Sequence, residues 1–108
     1  MNRRTAALLG IYALSVLLTC VLWASPLVLA VCLLVIGAAM LFRWHTATDI
    51  VSYSAAFLLG PLGEAAAVRA GAWTYARPAL LIPVWLPLLW GIAGLFLKRV
   101  CESVASGE

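Results

Sequence analysis

The chain has 108 residues, 66% of them hydrophobic and only 10% charged, with a formal net charge of +3. Soluble domains run at about 45–50% apolar and about 25% charged. A chain this short cannot hide so much apolar surface from water, so composition excludes a soluble globular domain and assigns an integral membrane protein. The basic residues are scattered in ones and twos, which excludes a nucleic-acid surface.

Residues 5–42 carry no charge. That run exceeds the roughly 20 residues of one membrane span, and Trp23-Ala-Ser-Pro26 interrupts it. Proline suits the first turn of a helix and pushes its predecessor out of helical geometry. Span 1 is therefore expected over residues 5–23 and span 2 over 26–42, joined by a tight turn. The basic start Asn2-Arg3-Arg4 and the apolar stretch after it also have the form of a signal peptide. The surroundings of Trp23-Ala-Ser fit cleavage poorly, and Thr19 before Cys20 does not suit a lipoprotein box, so an uncleaved span is expected.

Arg43 to Asp49 forms the first polar loop. Thr46 or Thr48 can cap the following helix, and Asp49 suits the positive end of its dipole. Span 3 is expected over residues 49–68, and a loop with Trp73 and Tyr75 placed as an aromatic belt follows. Pro78 opens span 4, expected over 78–98, ahead of a short polar tail. The expected fold is all-α: an integral membrane four-helix bundle of two transmembrane hairpins, forming one domain over residues 1–108. Arg3, Arg4, Arg43, Lys98 and Arg99 then share one side, against Arg69 and Arg77 on the other. This places both termini in the cytoplasm of a multi-pass protein of the cell (inner) membrane. Cys20, Cys32 and Cys101 lack metal-ligand spacing, and His45 stands alone, so neither a disulfide nor a metal site is expected.

The first hairpin is plain hydrocarbon; the second carries the chemistry. On span 3, helical spacing aligns Asp49, Tyr53, Phe57, Gly60 and Glu64. Ala56, Gly60, Gly63 and Ala67 form a small-residue face suited to close helix packing or to a groove for a pigment, quinone or lipid tail. Pro61 should bend this helix. A charge within a bilayer costs about 3 kcal/mol or more, so Glu64 needs an explanation. Three readings stand: an ion pair with Arg69 or Arg77, a hydrogen bond from a neutral acid to a neighbouring helix or subunit, or a working acid or ion site. Pro83 falls at the depth of Glu64 on span 4, with Pro87, Trp90 and Gly94 continuing its face. Together these predict an outer-leaflet cluster of Glu64, Trp73, Tyr75, Pro83 and Trp85, with Trp90 deeper.

The series Glu64…Gly71-Ala-Trp73-Thr-Tyr75…Ile82-Pro83-Val-Trp85-Leu-Pro87…Trp90 resembles, over about 30 residues, a motif order in polytopic carotenoid-biosynthesis membrane proteins of the bisanhydrobacterioruberin hydratase type. Those proteins carry a membrane acid, a Gly-x-aromatic-x-Tyr loop and a Pro-containing helix with a tryptophan. The resemblance implies a carotenoid or isoprenoid connection. In size the chain is similar to small multidrug resistance transporters, whose essential glutamate lies in the first helix; span 1 here has none.

Three functions follow as expectations. The first is an accessory or structural subunit of a larger membrane complex, contacting a lipid, quinone or carotenoid. Its partners would be membrane lipids and other membrane subunits or a second copy of itself. The second is a small proton-coupled transporter working as a homodimer through Glu64. The third is a membrane enzyme acting on an isoprenoid or lipid with Glu64 as acid or base. The enzyme is the less expected class, since no catalytic partner for Glu64 stands out. No cofactor is expected beyond a bound lipid, quinone or carotenoid.

Overall fold

A computed structural model describes residues 3–75 and 81–107. Among these residues the fold is all-α, in the order α1 (Arg3–Leu22), α2 (Pro26–Arg43), α3 (Ala47–Arg69) and α4 (Leu86–Ala105). The first three are long and apolar enough to cross a membrane.

The helix boundaries follow from local chemistry. Pro26 sits in the first turn of α2, and the Ser25 N–H donates to the Leu22 carbonyl at 2.8 Å to close the turn. Thr46 caps α3 in a reciprocal capping box: its hydroxyl accepts from the Asp49 N–H at 3.2 Å, and Asp49 Oδ2 accepts from the Thr46 N–H at 3.0 Å. The helix is unbroken through Pro61, which is buried. It ends in a Schellman motif, with Ala72 N–H on the Ala67 carbonyl at 2.9 Å and Gly71 N–H on the Val68 carbonyl at 3.0 Å. Gly71 supplies the φ of +88° that this reversal needs.

The fourth helix differs from expectation. Residues 81–85 are not helical, and α4 starts at Leu86 and continues to Ala105, so the expected span 78–98 and the polar tail after it are corrected at both ends. Pro78 lies outside the described residues. Pro83 precedes α4, and Pro87 stands in its first turn, where its missing N–H costs nothing. The apolar part of α4 before Lys98 rises only about 18 Å at 1.5 Å per residue, short of a hydrocarbon core of about 30 Å.

α4 touches all three other helices and packs most extensively on α3. The α3–α4 pair is antiparallel, with Asp49 opposite Lys98 and Arg99, Ala56 opposite Gly94, and Gly60 opposite Trp90. Buried Leu29, Leu33, Gly37 and Met40 form one stripe of α2, and Ile92, Leu95 and Phe96 of α4 join the same core. Tyr53 fills the gap between α2 and α4 that Gly37 and Gly91 leave: a Cβ on either glycine would approach its ring or hydroxyl to 2.6 Å. On α1, buried Ser15 donates to the Ile11 carbonyl at 2.9 Å, so its hydroxyl is satisfied within its own helix. The ends of α1 and α4 meet where Thr5 and Ser103 hydroxyls bond at 3.0 Å.

Candidate functional site

Glu64 lies about one turn before the end of α3, and the Schellman turn folds the chain back beside it. That reversal brings Tyr75 over α3, where its hydroxyl donates to Glu64 Oε1 at 2.5 Å. From the other side, Trp90 on α4 donates its indole N–H to Glu64 Oε2 at 2.6 Å. Trp90 reaches the acid because Gly60, one turn earlier on α3, has no side chain; a Cβ there would stand 2.1 Å from the indole ring. Both oxygens of the acid are thus engaged by donors from two other segments. Burial, then the facing Glu64, push the Tyr75 phenol up to about 12, so it stays a neutral donor at physiological pH.

Beside this clamp lies an open, mainly apolar groove of about 460 Å³. Its walls include Tyr12 of α1 and Leu86, Leu89, Ala93 and Leu97 of α4, and Glu64, Tyr75, Trp85 and Trp90 also line it. Tyr12 is held by stacking on Phe96, with ring centroids 4.5 Å apart. Trp85 is 7% exposed, and its buried indole N–H has no hydrogen-bond partner among the described residues. A buried donor left unpaired costs about 1–3 kcal/mol.

The expected cluster is therefore partly redrawn. Glu64, Tyr75 and Trp85 meet at the groove, and Trp90, expected deeper, joins them as a direct partner of the acid. Trp73 is 46% exposed on the loop. Pro83 is buried ahead of α4, and its carbonyl accepts from the Leu86 N–H at 3.2 Å. Arg69 is exposed and forms no ion pair among the described residues, so of the readings open for Glu64 the pair with Arg69 is not formed, and two neutral donors meet the acid instead. Arg77 lies outside the described residues. The small-residue face also divides: Ala56 and Gly60 face α4, Ala67 is half-buried, and Gly63 faces open space.

Sequence reasoning missed a second polar centre. Asp49 is fully buried and accepts from Lys98 Nζ at 2.6 Å and from Arg99 through Nε at 3.0 Å and Nη2 at 2.5 Å. The acid in the first turn of one helix and the Lys-Arg pair near the end of its antiparallel neighbour were the available signal. The capping role by itself accounts for an acid at this position and so hides the second one.

Among the described residues no group of three His, Cys, Asp or Glu side chains could hold a metal ion. No family model, curated protein or solved structure matches the chain.

Proposed function

We propose that this chain is a small multi-pass subunit of a larger membrane assembly, with cytoplasmic termini, that holds a lipid, quinone or carotenoid-type molecule in the groove beside Glu64. The observation that carries this reading is the groove itself: apolar walls, a volume of about 460 Å³, and one buried donor, the Trp85 N–H, without a partner among the described residues. Ligand pockets commonly hold about 300–1,000 Å³ and combine apolar lining with a few polar groups. An occupant with an apolar chain and a carbonyl or hydroxyl oxygen suits both features. That chemistry is also where the likeness to carotenoid-biosynthesis proteins points.

Glu64 positions the groove in this reading. Each of its oxygens accepts from a fixed donor, Tyr75 on one and Trp90 on the other, which holds the side chain in one position beside the groove. This weighs toward a binding role over the transporter and enzyme alternatives. The helices also present many exposed apolar side chains, such as Leu27, Val35, Leu59 and Leu62, on which lipid or neighbouring subunits can pack.

Titration of the protein in nanodiscs with an isoprenoid-tailed benzoquinone tests the ligand, because quinones quench tryptophan fluorescence. Saturable quenching is expected, and Leu89→Trp, which fills the groove, should weaken it at least tenfold. Non-saturating quenching, identical in the variant, would remove the ligand from the proposal. Native mass spectrometry of the gently extracted protein tests the assembly: a hetero-complex is expected, and a bare monomer would remove the subunit role.

A further inference from the structure

We propose that the opposite end of the molecule, between the start of α1, the α2–α3 turn and α4, binds the phosphate of an anionic membrane phospholipid. The site is a depression of about 390 Å³ lined by Arg4, Arg43, Trp44, His45, Thr46 and Arg99. Three guanidiniums from three segments line it, and among the described residues no carboxylate does. The adjoining depression, of about 500 Å³, shares Arg4 and Arg99 but includes Glu102, which makes it the poorer anion site.

The cations are organised. Arg99 is anchored by the buried Asp49, which uses its Nε and Nη2 and leaves Nη1 uncommitted. Arg43 and Arg99 both lie over the Trp44 ring, with their guanidinium carbons 5.6 and 5.8 Å from its centroid. Two like charges gathered on one indole repel each other, and an anion between them relieves that repulsion. Trp44 is 7% exposed, and its indole N–H has no partner among the described residues. Arg4 and Arg43 have no carboxylate partner among them either.

Charge balance favours the same ligand. Arg3, Arg4, Arg43, Lys98 and Arg99 gather at this end against Asp49 and Glu102. Among the described residues, five cations against two carboxylates leave a local excess of three. Arg43 closes the apolar helix α2, so the depression falls at the headgroup level, where basic pockets between membrane helices take lipid phosphates. That position selects a lipid phosphate over a free one.

Native mass spectrometry of the protein released from mixed nanodiscs reads the result. With phosphatidylglycerol and phosphatidylcholine in equal amounts, the protein should retain the anionic lipid preferentially. A cation in contact with the lipid phosphate contributes about fivefold to its binding, so R43A should lose about that factor and R4A/R43A about 25-fold. The exposed Arg69 at the other end supplies the control R69A, which should retain the lipid as the parent does. Circular dichroism on each variant verifies that the helices persist. Equal retention of both lipids by the parent, or full retention by folded R4A/R43A, would overturn the proposal. Displacement of the lipid by millimolar inorganic phosphate would overturn the lipid assignment in favour of a soluble anion.

Discussion

Replacing Asp49 by alanine is expected to cost about 3 kcal/mol or more of stability, because breaking a buried ion pair strands its partners. Asp49 is fully buried, while the side chains of Lys98 and Arg99 keep only 17% of their exposure. Its removal leaves two cations of α4 turned toward α3 with no anion there to meet them. The capping box is lost as well, but a cap alone is worth about 1 kcal/mol. Graded variants separate the two contributions. Asp49→Asn retains an oxygen for the Thr46 N–H and loses the ion pairs, whereas Thr46→Val loses the hydroxyl and keeps the ion pairs. The expected order of damage is Asp49→Ala, then Asp49→Asn, then Thr46→Val. Glu102→Ala should be nearly silent, since Glu102 is 59% exposed and meets only Lys98. Denaturant midpoints in mild detergent measure all four. An Asp49→Ala midpoint no lower than that of Glu102→Ala would show that the pair does not hold the two helices together.

Much of this architecture is legible in the chain because its punctuation is local. The long charge-free run, Pro26, and Thr46 with Asp49 locate the first three helices to within two residues of the observed ends. The fourth escaped for an equally local reason. Pro78, Pro83 and Pro87 each satisfy the rule for starting a helix, and the rule does not rank them. Its far end escaped for a tertiary reason: Ser103 is buried against Thr5 of α1, which favours helix through residues that look like a polar tail. The Glu64 neighbourhood followed the same division. Tyr75 could be placed near the acid because a glycine turn folds the loop back over the helix it has just left. The direct Trp90–Glu64 bond could not be read, because it depends on the α3–α4 register and on a missing Cβ at Gly60. Asp49 with Lys98 and Arg99 needed that register too. Contacts made within one turn of chain were readable, and contacts between helices required knowing which small residues admit which large ones.

That register can be tested through its glycines. Gly94→Ala is expected to destabilise the protein by about 2–3 kcal/mol, at the upper end of the usual overpacking cost. The added Cβ would stand 2.4 Å from Ala56 Cβ and 2.9 Å from the Ser52 carbonyl oxygen. Neither can swing aside, so α3 and α4 must separate. Gly60→Ala presses on a side chain instead: its Cβ would meet the Trp90 indole, which can rotate away only by releasing Glu64. It should cost less stability than Gly94→Ala but release the Trp90 indole from Glu64, shifting tryptophan emission in the direction given by Trp90→Phe difference spectra. Gly63→Ala supplies the contrast. It lies on the same helix, within the small-residue series, but no described residue stands within 4 Å of its added Cβ, and alanine favours the helix over glycine by about 1 kcal/mol. Gly63→Ala should therefore be neutral or mildly stabilising. Similar losses at Gly63 and Gly94 would mean that helix flexibility, and not close approach of α3 to α4, is what these glycines provide. A loss at Gly94 with none at Gly63 would identify the α3–α4 contact as the frame that sets both the Glu64 clamp and the Asp49 ion pairs, since the two polar centres lie at opposite ends of that one interface.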